Sequence, residues 1–101
     1  MPKGYWMALV TIKNPERYKD YIAANGVAFS KYEARFIVRG GKAETMAGPR
    51  RDRHVVIEFP SLQAALDCYH SPEYQAAKKI FDEAATTDMT IVEGVAYVVG
   101  P

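Results

Sequence analysis

Residues Arg53 to Ser61, RHVVIEFPS, constrain this chain more than any other stretch. A run of branched and aromatic residues with charges at its start and middle reads as a strand. Pro60 stops it, and Ser61 is placed to cap a helix. The segment before this strand must lead into it, and the segment after it must return to the same sheet.

The flanking segments supply those pieces. Tyr5 to Lys13, YWMALVTIK, reads as a strand whose even positions Trp6, Ala8, Val10 and Ile12 form an apolar core face. Its odd positions Tyr5, Met7, Leu9 and Thr11 are also mostly apolar, so this strand is expected to be covered on both faces. Asn14-Pro15-Glu16 combines a cap, a proline suited to the first helical position and a carboxylate that favours the helix dipole. It predicts a helix to about Tyr32, with Tyr18, Tyr21, Ile22, Ala28, Phe29 and Tyr32 as its apolar stripe.

Ala34 to Arg39 is the second predicted strand, Gly40-Gly41 offers a bend or bulge, and Lys42 to Met46 could extend it. Gly48 to Asp52 is a turn leading back into RHVVIEF, so the two strands form a hairpin with a long tip. Ser61 then opens a helix with stripe Leu62, Ala65, Leu66 and Tyr69, and Ser71-Pro72-Glu73 restarts it after a kink. Tyr74, Ala77, Ile80, Phe81 and Ala84 form the second apolar stripe, and Met89 to Val99 is the last predicted strand.

The order strand, helix, strand, strand, helix, strand, joined by right-handed crossovers, is the ferredoxin-like α+β plan: a four-stranded antiparallel sheet with helices on one face. The 101 residues make one domain, and a domain of this size buries only about 60–65% of the surface its unfolded chain exposes. The sheet face bearing Tyr5, Met7 and Leu9 therefore calls for a partner sheet. A homodimer with two sheets face to face, forming a barrel, is expected.

Composition excludes several classes. A net charge of +1 gives no bulk drive toward nucleic acid or an anionic membrane. There is no apolar run long enough to span a bilayer, and the N-terminal segment is too short and interrupted for a signal peptide, so a cytoplasmic location is expected. Cys68 is the single cysteine, which rules out an intrachain disulfide, and with two scattered histidines there is no zinc spacing. No cofactor is expected: Gly40-Gly41 lacks the spacing of a phosphate loop. VVIEF lacks the aromatic platform of an RNA-recognition strand.

KGYW, RFIVRGG, RHVVIEFPS, CYHSPEYQAAK and IVEG, in this order and at these intervals, resemble the DUF1330 family of the dimeric α+β barrel superfamily. The resemblance runs from Lys3 to Gly94 and implies a ferredoxin-like protomer in a dimeric barrel. It implies no particular chemistry, because the superfamily spans cofactor-free monooxygenases, isomerases, cyclases and haem peroxidases.

By strand alternation the face away from the helices should carry Arg35, Ile37 and Arg39 on the second strand, with Phe36 and Val38 on the other face. His54, Val56 and Glu58 should join them from the third strand and Glu93 from the last. Charges converging between two sheets are either paired or functional. In the functional reading Arg39 anchors a carboxylate or enolate and His54 or Glu58 carries a proton, with Tyr5, Glu93 and Tyr69 as further ligand-binding groups. The predicted function is then a small organic ligand bound in the cleft between sheet faces, where proton-transfer or cofactor-free oxidative chemistry could act on it. The alternative is a non-catalytic dimeric interaction module whose charges, including an Arg39–Glu58 pair, fix the interface. Cys68, without a cationic neighbour or base, reads as a buried inert thiol, and Arg50 to Arg53 as a solvated basic turn.

Overall fold

Each helix begins where the sequence places a capping side chain ahead of its first turn. Asn14 Oδ1 accepts from the Arg17 amide at 3.1 Å, and helix α1 runs Pro15–Lys31. Ser61 Oγ accepts from the Ala64 amide at 3.0 Å and opens α2, Leu62–His70. Ser71 serves both sides of the kink: its hydroxyl donates to the Cys68 carbonyl at 2.7 Å and accepts from the Tyr74 amide at 3.1 Å, opening α3, Pro72–Ala84. The computed structural model describes residues 2–96.

Strands β1 (Gly4–Ile12), β2 (Arg35–Arg39), β3 (Arg53–Phe59) and β4 (Ala85–Glu93) form one antiparallel sheet in the order β2-β3-β1-β4. This is the ferredoxin-like arrangement, with β1 and β3 central. The register of β1 on β3 pairs Trp6 with Ile57 and Ala8 with Val55, so these side chains share the helix side with Arg53 and Phe59. The other face carries Tyr5 opposite Glu58, Met7 opposite Val56 and Leu9 opposite His54. In the isolated protomer Met7 is 50% and Leu9 43% exposed, so the described residues do not supply the cover expected on this face.

Helix α2 lies directly on β1, β3 and β4, whereas α1 packs chiefly on α3. Gly4 permits the close seat of α2, because a Cβ there would stand 2.6 Å from Leu62 Cα. Under α1 the sheet is reached by large side chains instead. Trp6 is centred in that layer, with ring centroids of Phe29, Phe59, Tyr69 and Tyr74 between 4.8 and 5.9 Å away.

Three local expectations differ from the structure. β4 is Ala85–Glu93 rather than Met89 to Val99, because α3 passes into it without a loop. The Ala84 carbonyl there accepts from both Lys13 and Asn14 amides, at 2.8 and 3.0 Å, so β4 runs beside β1 from its first residue. Residues 97–99 of the predicted strand lie outside the described residues. In β2 a bulge falls at Ile37: Phe36 pairs with Ile57, but Val38 pairs with Val56 and Arg39 with Val55. Lys42 to Met46 do not extend the strand, and the basic turn is tied back onto the sheet. Arg51 donates to Thr11 Oγ1 at 2.8 Å and to Asp88 Oδ2 at 2.6 Å, and Asp52 Oδ2 accepts from the Ile12 amide at 2.8 Å.

Candidate functional site

The space left between the sheet and α1 is a cavity of about 700 Å³. Its floor is Trp6, Ala8, Val55 and Ile57, its walls are largely aromatic, and polar side chains stand at its margins. This volume is of the size used for small organic ligands, and the balance of apolar wall with few polar groups is what such sites show. The cavity is therefore within the protomer, not in the cleft between sheet faces where strand alternation alone puts the site.

Of the residues expected at a site, Arg39 and Tyr69 line this cavity. Arg39 reaches it through the bulge: one extra residue at Ile37 reverses the alternation, so Arg39 turns to the helix side and Val38 to the open face. Its guanidinium carbon sits 4.2 Å from the Phe36 ring centroid, a cation–π stack. The expected pairing of Arg39 with Glu58 is thereby corrected. Glu58 is on the open face, where its carboxylate accepts from the Tyr5 hydroxyl at 3.1 Å and pairs with Arg35 at 3.2 Å.

His54 and Tyr5 are on the open face with Glu58. Glu93 does not join them, because it pairs with Gly4 at the end of β4, and Gly4 shares the parity of Trp6. The expected group thus divides in three: Arg39 and Tyr69 at the cavity, Tyr5, His54 and Glu58 on the outer face, and Glu93 at an exposed strand end. Hydrogen bonding to Glu58, with some burial, raises the Tyr5 phenol above its ordinary pKa. The Arg35 side chain is 73% exposed, and a pair that open to water contributes roughly 0–1 kcal/mol.

Inside the cavity the Tyr21 and Tyr74 hydroxyls are 3.0 Å apart. Burial pushes the Tyr21 phenol up to about 12, offset in part by its hydrogen bonds to Tyr74 and Asn25, and burial drives Tyr74 upward too. Both are neutral hydrogen-bonding groups near neutral pH, suited to orienting a ligand oxygen. Tyr18 is also raised by burial, with Arg53 pulling it back.

Cys68 is fully buried beneath α1, its Sγ 3.8 Å from the Ala28 carbonyl, and burial pushes its thiol up to about 12. Maleimide labelling of the native protein at pH 7 is expected to follow global unfolding rather than thiol chemistry. Labelling as fast as that of a free thiol in the absence of denaturant would contradict this burial.

Two cavity residues are additions to the expected set. Asn25 is buried, 6% exposed, and four residues from both Tyr21 and Phe29; its polar type hides a position that helical spacing puts on the stripe. Arg53 reads in the sequence as part of the basic turn, although alternation with Val55, Ile57 and Phe59 already assigns it to the helix side. Among the described residues no group of three histidine, cysteine or acidic side chains could hold a metal ion, and no helix is long and apolar enough to cross a membrane.

Comparison with known proteins agrees with this architecture. A family model described as "Domain of unknown function (DUF1330)" matches residues 3–95. A protein of unknown function from Rhodopseudomonas palustris superposes with a TM-score of 0.78 at 18% identity, covering 95% of this chain and 85% of that one. SnoaB, a cofactor-independent oxygenase from Streptomyces nogalater, gives a TM-score of 0.65 at 12% identity over 100% of this chain and 99% of that one. A dimeric protein of unknown function and ferredoxin-like fold from Bacteroides fragilis gives 0.54 at 16% identity, over 90% and 95%. Curated proteins yield no significant match to the chain.

Proposed function

The chain belongs to the DUF1330 family, whose description names no function, and we propose that it binds a small organic ligand, ring-shaped and largely apolar, in the cavity between sheet and helices. The observation that carries this reading is the cavity of about 700 Å³ itself, walled by Trp6, Phe29, Phe36, Tyr69 and Tyr74. Phe36, Arg39 and Tyr69 stand at its open side, with the more deeply buried Trp6, Phe29 and Tyr74 behind them, and an aromatic wall gives a flat ligand face and edge contacts. Arg39 and Tyr69 are the ligand-contacting residues at its margins. His54 and Glu58 are across the sheet from the cavity, so the proton-carrying role expected of them is no part of this proposal. SnoaB's oxygenase activity, at 12% identity, does not carry across with the fold, and the proposal rests on the cavity alone.

Trp6 is the single tryptophan and packs against Tyr69 and Tyr74 of the cavity wall, close enough to a bound dye to be quenched by energy transfer. Titration with the neutral dye N-phenyl-1-naphthylamine is expected to quench Trp6 emission saturably, with one site per chain. A change that rises linearly without saturation, or none, with this dye and with its sulfonated analogue alike would refute ligand binding in the cavity.

A second reading concerns the opposite face. The exposed Met7 and Leu9 stripe and the Bacteroides fragilis neighbour described as dimeric support the face-to-face homodimer. In it Arg35 and Tyr5, each already bonded to Glu58, take the interface-fixing role with it.

A further inference from the structure

The cavity margin beneath α1 carries two guanidinium groups that no carboxylate among the described residues pairs with. Arg39 and Arg53 are on adjacent strands and the same face: Arg39 pairs with Val55, two residues beyond Arg53. Such diagonal neighbours have side chains starting about 7–8 Å apart. Neither forms a salt bridge among the described residues; Arg39 stacks on Phe36, and the Arg53 guanidinium carbon is 5.7 Å from the Tyr18 ring centroid. Arg53 Nε is shut off from solvent and has no hydrogen-bond partner. Both guanidiniums therefore line one cavity without a carboxylate partner among the described residues, and a bound anion would supply the missing counter-charge. The carboxylate at the other side of the cavity, Asp82, is already bonded to Lys78 at 2.8 Å.

The backbone is shaped around the same group. Gly40 has φ +67°, and a Cβ on it would collide with Arg53 Nη1 and stand 2.8 Å from Cζ. The turn after β2 thus leaves room for the Arg53 guanidinium to lie along the backbone, while the bulge at Ile37 puts Arg39 on the same face of the sheet.

We propose that Arg39 and Arg53 form a two-arginine clamp for an anionic group, so that the cavity selects a flat organic acid, with its ring against the aromatic wall and its carboxylate or sulfonate between the guanidiniums. This rests on the cavity being a ligand site and adds the sign of the ligand's charge and the residues that read it. Planar guanidiniums suit a two-oxygen anion because each can donate two parallel hydrogen bonds. The aromatic stacks on Phe36 and Tyr18 hold them in place before the ligand arrives.

Two dyes of the same anilinonaphthalene body separate the two ideas: neutral N-phenyl-1-naphthylamine and its sulfonate, 8-anilinonaphthalene-1-sulfonate. Arg53→Gln is expected to weaken the sulfonate by about tenfold or more relative to the neutral dye, the worth of a charge-assisted bond. Arg39→Gln, an exposed position whose loss does not threaten folding, is expected to act the same way, and carries the test if Arg53→Gln does not fold. Lys79→Gln, which removes an equal charge from an exposed site on α3 away from the cavity, should change neither dye. If the neutral dye binds and both arginine variants treat the two dyes alike, the clamp is overturned while the cavity site stands. If neither dye binds the unaltered protein saturably, the site and the clamp fall together.

Discussion

Replacing Trp6 with alanine is expected to lower stability by about 3 kcal/mol, toward the low end of the ~3–5 kcal/mol usual for a buried tryptophan. The ring is 2% exposed, touches the rings of Phe29, Phe59, Tyr69 and Tyr74, and its Nε1–H donates to the Ala65 carbonyl at 2.9 Å. The loss therefore includes burial of the largest side chain and a hydrogen bond that pins α2 to β1. What moderates it is the neighbouring cavity: the space vacated joins a void already present, so water enters and no sealed vacuum is formed. Against a total stability of about 5–15 kcal/mol for a domain of this kind, the effect is large. Urea unfolding followed by far-ultraviolet circular dichroism measures it, and a midpoint unchanged from the parent would show that Trp6 is not the centre of the helix-side packing. Trp6→Phe keeps ring contacts and loses the indole donor, and is expected to cost about 1–2 kcal/mol.

Most of the fold is legible in the sequence because its signals are local and redundant. Asn14-Pro15, Ser61 and Ser71-Pro72 each combine a cap with a stop, and all three mark observed helix starts. The even face of β1 is equally plain, since Trp6, Ala8, Val10 and Ile12 alternate without interruption. The site is harder to read, because its position depends on a single backbone irregularity. Alternation is a period-two rule, and the extra residue at Ile37 reverses every assignment after it, sending Arg39 away from Glu58 and into the cavity. The glycine pair points to residues 40 and 41, but the bulge precedes them and nothing in Arg35-Phe36-Ile37-Val38 marks it. The misplaced β4 has a comparable origin. Ala84-Ala85-Thr86-Thr87 contains no glycine or proline to punctuate a helix-to-strand passage, so the strand start reads too far downstream; Glu93 does alternate against Thr90 and Val92, but it is Met89 and Ile91, of its own parity, that face the helices. The void itself leaves no trace in composition: it arises because α1 leans on α3 instead of the sheet, a matter of helix placement that apolar stripes do not encode.

Met7→Lys is expected to convert a homodimer to folded monomers. Met7 sits mid-strand in β1 on the open face, beside Leu9 and opposite Val56 and Thr90, so two sheets packed face to face would bury it near their centre. An interface of this symmetry presents the same patch twice, and the substitution therefore introduces two charges. An uncompensated buried charge costs about 3–5 kcal/mol, which corresponds to a dimer dissociation constant raised by roughly 100-fold or more. The protomer should remain intact, because the Met7 side chain points away from the layer that holds Trp6 and Ile57. Sedimentation velocity at micromolar concentration measures the change. A parent chain that sediments as a monomer, or a lysine variant with unaltered association, would reject the face-to-face arrangement. The corrected register also assigns the charges. Arg39→Gln should leave the dimer intact, since Arg39 faces the cavity, whereas Arg35→Gln should weaken it, by removing the partner of Glu58 on the face being covered. If the two arginines acted in the opposite sense, the bulge at Ile37 would not describe the protein in solution, and the separation of ligand face from dimer face would fail with it.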